Sequence, residues 1–361
     1  MTESPLQGKT VLVTRPSAQA HELAAAIEAA GGTALRIPVI DIVPRMGDYG
    51  YVWVDRPTAA SSDPNATYSK SSKGGTNRVK RTAAGRYEVY LAGLAQAGGH
   101  VQVTAYGGGN EYCNIRSWGS SGRDLRVNVQ CYDPAGRAED VRFSLLALWP
   151  LGAGARGAYA WAEQASAASY SPSASYAWTS SGKQIRIQRR STGRYAVTLP
   201  GLGSNPASTV QVTAYGGSHT CQVFRWRPAG DDPVAEVACT DAAGRPADGR
   251  YAILALGAYG RGGHAVANRP TSRSSYTPAL AVNGGKAVTA RSTAAGSYTV
   301  TFTGLGGGSR AGANVQVTSH GDARCQVQSW GAGGSDFSVN VRCTGWDGRP
   351  WDTAFGVLVL W

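Results

Sequence analysis

The hexapeptide Val101-Gln-Val-Thr-Ala-Tyr106 returns as Val210-Gln-Val-Thr-Ala-Tyr215 and again as Val315-Gln-Val-Thr-Ser-His320, at offsets of 109 and 105 residues. A long fixed period constrains architecture before any local propensity does, because each copy must be one structural unit. Residues 46–361 therefore read as three copies of a unit of about 100 residues, with bounds at 46–149, 157–257 and 258–361. Pro150-Leu-Gly-Ala-Gly-Ala-Arg156 reads as the first linker, and the junction at Gly257 to Gly263 is shorter.

Each copy writes the same order of elements. An apolar-alternating strand opens it (Tyr51 and Trp53, Tyr159 and Trp161, His264 and Val266), and a Ser/Thr/Pro-rich loop follows. Next come Gly85-Arg-Tyr-Glu-Val89, Gly193-Arg-Tyr-Ala-Val197 and Gly296-Ser-Tyr-Thr-Val300, with Tyr and Val on one face that Leu91, Leu199 and Phe302 continue. A Gly-Leu turn leads into the Val-Gln-Val-Thr strand, whose valines point one way and whose Gln and Thr point the other. An Asp/Gly turn, as in Asp133-Pro-Ala-Gly-Arg137, and an apolar strand such as Phe143 to Trp149 close the copy. Short strands with a turn every 8–12 residues are the signature of an antiparallel sandwich. The expected fold is all-β: three tandem antiparallel β-sandwich repeats in a row, preceded by a short incomplete βαβ segment. The 48 glycines among 361 residues, with abundant Ser, Thr, Tyr and Val, agree with strands and turns.

The six cysteines fall in pairs 18 residues apart, Cys113 and Cys131, Cys221 and Cys239, Cys325 and Cys343, one pair per copy. Gly122, Gly230 and Gly334 stand at the interval midpoints, where a hairpin turn needs unusual backbone angles. Folded as hairpins, the intervals set their cysteines opposite one another, so three disulfides inside the copies are expected. Cys113, Ile115, Leu125, Val127, Val129 and Cys131 then share a core face. Each closed loop is worth about 3 kcal/mol in the chain-entropy model. Paired cysteines imply an oxidising compartment, extracellular or periplasmic. No copy has a CxxC or a His cluster, so no metal and no cofactor are expected.

Charge bears on partners. The formal net charge is +12, and residues 1–45 carry four basic and four acidic side chains, so the excess lies in the copies. A basic surface favours polyanions, here an acidic glycan or cell-wall polymer. Lys70, Lys73, Arg78, Lys80, Arg81 and Arg86, then Lys183, Arg186, Arg189 and Arg190, form one stripe in each of the first two copies, while the third has only Lys286 and Arg291 there. Lys80, Arg81, Arg189 and Arg190 are the candidate polyanion contacts, against the alternative of a solvated strand face. Specific nucleic-acid recognition is not expected, since no recognition helix or RNA-binding signature accompanies the charge. Trp118, Trp226 and Trp330 fall just before the hairpin turn, on the face opposite the cysteines. They are candidate stacking platforms for sugar rings, against the alternative of packing on a neighbouring strand or copy. Asp140, Asp248 and Asp352, and Arg137, Arg245 and Arg349, recur at equivalent positions and read as structural Asp–Arg or turn residues. The five His, at 21, 100, 219, 264 and 320, form no nucleophilic arrangement, and no catalytic residue is assigned.

Residues 1–45 are of another kind. A strand from Thr10 to Thr14, a helix from Ser17 to Ala30 with Ala20, Leu23, Ala24 and Ile27 on one face, and a strand from Ala34 to Ile37 make one βαβ unit. Thr14, Arg15, Pro16, Gln19, Ala20, Leu23, Ala24, Gly31 and Pro38 resemble the N-terminus of bacterial uroporphyrinogen-III synthase. The resemblance implies a two-domain α/β lyase of porphyrin biosynthesis, cytoplasmic, that cyclises hydroxymethylbilane in an interdomain cleft, with Arg15 in reach of a substrate carboxylate. It stops at Arg45. A lone βαβ unit cannot cover both faces of its strands, and Met46 follows the break, so a gene fusion with an inactive synthase fragment is expected. Neither an apolar run of membrane-spanning length nor a signal peptide is legible. The expected role is extracytoplasmic binding of a glycan or other anionic polymer, or surface structure, with tetrapyrrole cyclisation as the alternative.

Overall fold

The structure, a computed structural model, describes residues 5–13, 17–36, 47–152, 154–202, 208–227, 232–257, 262–307 and 312–361. The chain divides into two compact units, Met1–Pro44 and Arg45–Trp361. No helix among the described residues is long and apolar enough to cross a membrane.

In the first unit, Thr10–Val13 pairs in parallel with Thr33–Arg36, and the helix Ser17–Ala29 connects them. Val13, Ala24 and Ile27 are buried, whereas Leu12, Leu23 and Leu35 are 40–54% exposed. Leu23, expected on the packed face with Ala24 and Ile27, thus lies outside it. The positions of Thr14, Arg15, Pro16 and Pro38 are outside the described residues.

The second unit is all-β. Among the described residues its sheets hold nine, eight and nine strands, and each is shared by two segments of the chain. Every segment supplies two half-sheets. One half holds the opening strand, the Val-Gln-Val-Thr strand and the closing strand: Tyr49–Val54, His100–Tyr106 and Arg142–Leu148 in the first segment. The other holds the cystine hairpin, Tyr112–Ser121 with Asp124–Tyr132, and the outer pair Arg78–Ala83 and Arg86–Leu91. These halves face each other over a core of Val52, Val103, Phe143 and Leu145 against Tyr87, Val89, Ile115, Val127 and the cystine. Corresponding cores form within residues 158–255 and 265–359.

Each half-sheet then continues into another segment. Ile115 pairs in parallel with Tyr215, Val223 with His320, and Val327 with Tyr106. First joins second, second joins third, and third returns to first, so the segments read as a row close into a ring. Sheets that close this way leave no Val-Gln-Val-Thr strand with a free edge.

The centre of the ring explains the repeated hexapeptide. Its valines enter the segment cores, while its Gln and Thr point inward and are buried: Gln102, Gln211 and Gln316 at 0% exposure. Thr213 Oγ1 accepts from Val103 N–H and donates to Val103 O, both at 3.2 Å. Thr318 does the same with Val212 at 3.0 and 3.3 Å, while Thr104 accepts from Val317 N–H at 3.1 Å and donates to Gln316 Oε1 at 2.8 Å, with Val317 O at 3.4 Å. Each threonine thus bonds the backbone of a neighbouring central strand, which would otherwise bury unpaired groups. Beside this polar layer lies an apolar one built from the closing strands, with Leu146, Leu148, Leu254, Leu256, Leu358 and Leu360 joined by Tyr51 and Tyr159. Burying each such leucine is worth about 2 kcal/mol.

Loss of one central hydroxyl should show in stability. Thr213→Val is expected to lower the free energy of unfolding by about 2 kcal/mol, because it strands a buried N–H and C=O. Thr82→Val, at an exposed position, should stay within about 0.5 kcal/mol. Urea denaturation of the two variants beside the parent chain measures both.

Candidate functional site

The cystine hairpins set the geometry of every candidate. Cys113 is bonded to Cys131, Cys221 to Cys239 and Cys325 to Cys343, each directly opposite its partner in the ladder. Gly122 and Gly334 have φ of 63° and 64°, in the left-handed region their turns require, while Gly230 lies outside the described residues. A β-bulge interrupts each hairpin, between Asn128 and Val129 in the first register. The extra residue reverses the alternation beyond it.

That reversal corrects the placement of the tryptophans. Trp118 stands opposite Val127, Trp226 opposite Ala235 and Trp330 opposite Val339, so all three share the face of the cysteines and pack on the segment cores. Trp118 and Trp330 also seal the ring. Trp118 meets Trp161, Tyr176 and Tyr215 of the next segment at 5.5–5.9 Å between centroids. Trp330 meets Trp53, Tyr68 and Tyr106 at 5.1–6.0 Å. Trp226 donates to Ser208 O at 3.2 Å. Rings met at their edges by other rings are half-buried mortar, not open platforms.

The basic stripe divides in two. Arg81 grips Asp140 through Nε and Nη2 at 2.8–3.0 Å, and the same carboxylate accepts from Gly85 N–H at 2.8 Å and the Tyr87 hydroxyl at 3.0 Å. Arg189 holds Asp248 in the same way, with Gly193 N–H and the Tyr195 hydroxyl. Asp352 keeps the Gly296 and Tyr298 bonds. Ser292 stands opposite Tyr298 where the other segments have Arg81 and Arg189. The Gly is required, since a Cβ at Gly193 would come within 2.3 Å of Cys239 O. The bonds from Arg81 and Arg189 hold Asp140 and Asp248 below the usual carboxylate range. Arg81 and Arg189, expected as polyanion contacts, are therefore committed to structure, as are Asp140 and Asp248. The partner expected by recurrence, Arg137, instead closes its own turn onto Asp133 at 2.7 Å, and Arg245 closes onto Asp241 at 2.8 Å.

Lys80 and Arg190 remain exposed. Lys80 lies on an outer sheet face with Arg78, Arg86, Arg116 and Arg126, all exposed, where Asp124 pairs with Arg78 at 3.0 Å and Glu88 with Arg126 at 3.8 Å, leaving an excess of cations. The equivalent face of the second segment carries Arg186, Arg225 and Arg227, with Arg190 at the hairpin bulge and Arg194 lying 4.2 Å over the exposed Phe224 ring. The third presents Thr299, Asn340 and Ser329 in a hydrogen-bonded row, with Thr301 and Ser338 beside it.

At the ring centre a cavity of about 70 Å³ lies between the three cystines, walled by Thr104, Thr213, Thr318, Gln222 and Arg324 among others. The Asp/Gly turns of all three segments line a separate bowl of about 620 Å³ with Trp346 on its wall. Sequence reasoning missed these residues because it compared what recurs. The useful signal was what does not: Tyr112, Thr220 and Arg324 each precede the first cysteine of a copy. Among the described residues no three His, Cys, Asp or Glu come together as metal ligands would. Comparison with known protein families, curated proteins and solved structures finds no match.

His100 is buried and His320 partly buried, and desolvation lowers the pKa of each to about 4. An imidazole with its folded pKa below the unfolded value of about 6.5 stabilises the fold fully above that value, and the contribution is lost as pH falls toward 4. The linkage amounts to roughly 3 kcal/mol per group at its limit. Asp140 and Asp248 act lower, at and below their ordinary 3.8. The unfolding midpoint should therefore fall already between pH 6.5 and 4. Replacing His320 by Tyr and His100 by Asn, the residues at the equivalent places 215 and 314, should flatten that decline. Thermal unfolding across this pH range reads the slope.

Proposed function

We propose that the chain is an extracytoplasmic binding protein whose outer hairpin faces in the first and second segments take an anionic polymer, an acidic glycan or wall polymer. The observation that carries this reading is the face bearing Arg78, Lys80, Arg86, Arg116 and Arg126, all exposed, with its counterpart in the second segment. Cations on alternate residues of paired strands stand roughly 7 Å apart along a strand and about 10 Å apart two strands over. Such a grid suits a polymer with repeated negative charges better than one compact anion. The third face mixes hydroxyls and amides with fewer cations, Arg291 opposite Thr299 and Arg342 opposite Ser297, so the denser charge of the first two is not a demand of the fold. Three disulfides support an oxidising extracellular or periplasmic setting. The cyclisation of hydroxymethylbilane implied by the resemblance of residues 1–45 has no support in residues 45–361, which fold as strands.

Heparin and dextran sulfate are suitable probes, with neutral dextran as the control. Retention of the chain is expected on the sulfated polymers only, and elution should move to lower salt in Lys80→Glu combined with Arg126→Glu. Equal retention on neutral dextran, or no response to the charge reversals, overturns the reading. Binding of duplex DNA as tight as that of heparin would widen the ligand class to any polyanion.

A further inference from the structure

Two places where the segments differ, Gln222 and Arg324, meet on one polar cavity at the ring centre. Asn114 donates to Gly217 O and His219 O at 2.8 and 2.7 Å, and Gln326 donates to Gly107 O and Gly109 O at 2.9 and 3.0 Å. Both fasten the loop that follows a neighbouring segment's central strand. Gln222 holds the third such place, but the loop it would fasten is shorter, with four residues between His320 and Cys325 against six between Tyr106 and Cys113. That loop folds on itself, Ala323 N–H donating to Gly321 O at 3.0 Å. Gln222 is left 3% exposed with neither its amide nitrogen nor its amide oxygen paired, on the wall of the central cavity.

Arg324 lines the same cavity and is 9% exposed. Its guanidinium lies 4.4 Å from the Tyr112 ring centre and 4.8 Å from that of Trp346. It donates to Pro134 O at 3.3 Å and Ala242 O at 2.8 Å, while Nε has no partner. Among the described residues no carboxylate pairs with it. Buried cations are ordinarily paired, because desolvating an isolated charge costs several kcal/mol. A guanidinium with no carboxylate at ion-pair distance, Asp133 acting on it only from farther away, and an unpaired amide N–H on the wall of one small cavity are complementary to negative charge.

We propose that this cavity is a binding site for a small inorganic anion of the size of chloride or nitrate, held by Gln222 and Arg324 where the three segments meet. A volume of about 70 Å³ admits such an ion with some water and excludes a sugar or a polymer. Glu111 is the acid on the wall and opposes the ion, so its charge tunes affinity. The site is independent of the polyanion reading, which concerns the outer faces.

The test compares chloride with gluconate, an anion too large for the cavity, at matched ionic strength on the full chain. The unfolding midpoint should rise with chloride only, linearly in the logarithm of its concentration once that exceeds Kd. Apparent affinity should fall about tenfold or more in Gln222→Leu, the scale of one lost hydrogen bond, and should tighten in Glu111→Gln. A bromide soak of crystals should place anomalous density in the cavity. Arg324→Met should abolish binding; should that variant fail to fold, Gln222→Leu and the bromide soak decide alone. Equal midpoints in chloride and gluconate, an unchanged Gln222→Leu titration, or a cavity holding only water in bromide overturns the proposal.

Discussion

The exchange of hydrogen bonds between a threonine hydroxyl and a neighbouring strand's backbone is the constraint on which this ring rests. Three strands meeting at a centre cannot all pair in one ladder, and each brings buried N–H and C=O groups that need partners. Thr104, Thr213 and Thr318 resolve this by serving as donor and acceptor at once. Valine, nearly the same shape, could do neither. The parallel bridges at the seams are brief, and the hydroxyls, the leucine layer and the seam tryptophans add to the cohesion between segments.

Much of the architecture was legible because it depends on local alternation. The strands, the opposed cysteines and the burial of Tyr87, Val89 and Leu91 all follow from a two-residue period, and the period is strong. What local alternation conceals is a second buried face. Gln102 and Thr104 look like the wet side of an edge strand, and only ring closure makes them interior. Closure depends on single-residue bridges such as Ile115 with Tyr215, which have no sequence signature.

The candidate residues failed for a related reason. One bulged residue in each hairpin moves Trp118, Trp226 and Trp330 to the opposite face, and a bulge leaves little trace in a run such as Asn114 to Trp118. Arg81 and Arg189 were read as surface charge because their partners, Asp140 and Asp248, lie 59 residues away. Lys80 and Arg190, with no such partner, keep the role that composition suggested. Recurrence identified the structural clip of Asp, Gly and Tyr, yet it also drew attention away from Gln222 and Arg324, where the copies differ.

Closure of the third segment onto the first has a consequence for biosynthesis. Trp53 cannot meet Trp330, nor Tyr106 pair with Val327, until nearly the whole chain has left the ribosome. Contacts of such long sequence separation slow folding. In the interval the edge of the strand His100–Tyr106 stays open, a template for pairing with another nascent copy. The cystine hairpins, closed over 18 residues, need only local chain and are the parts able to form before the ring closes.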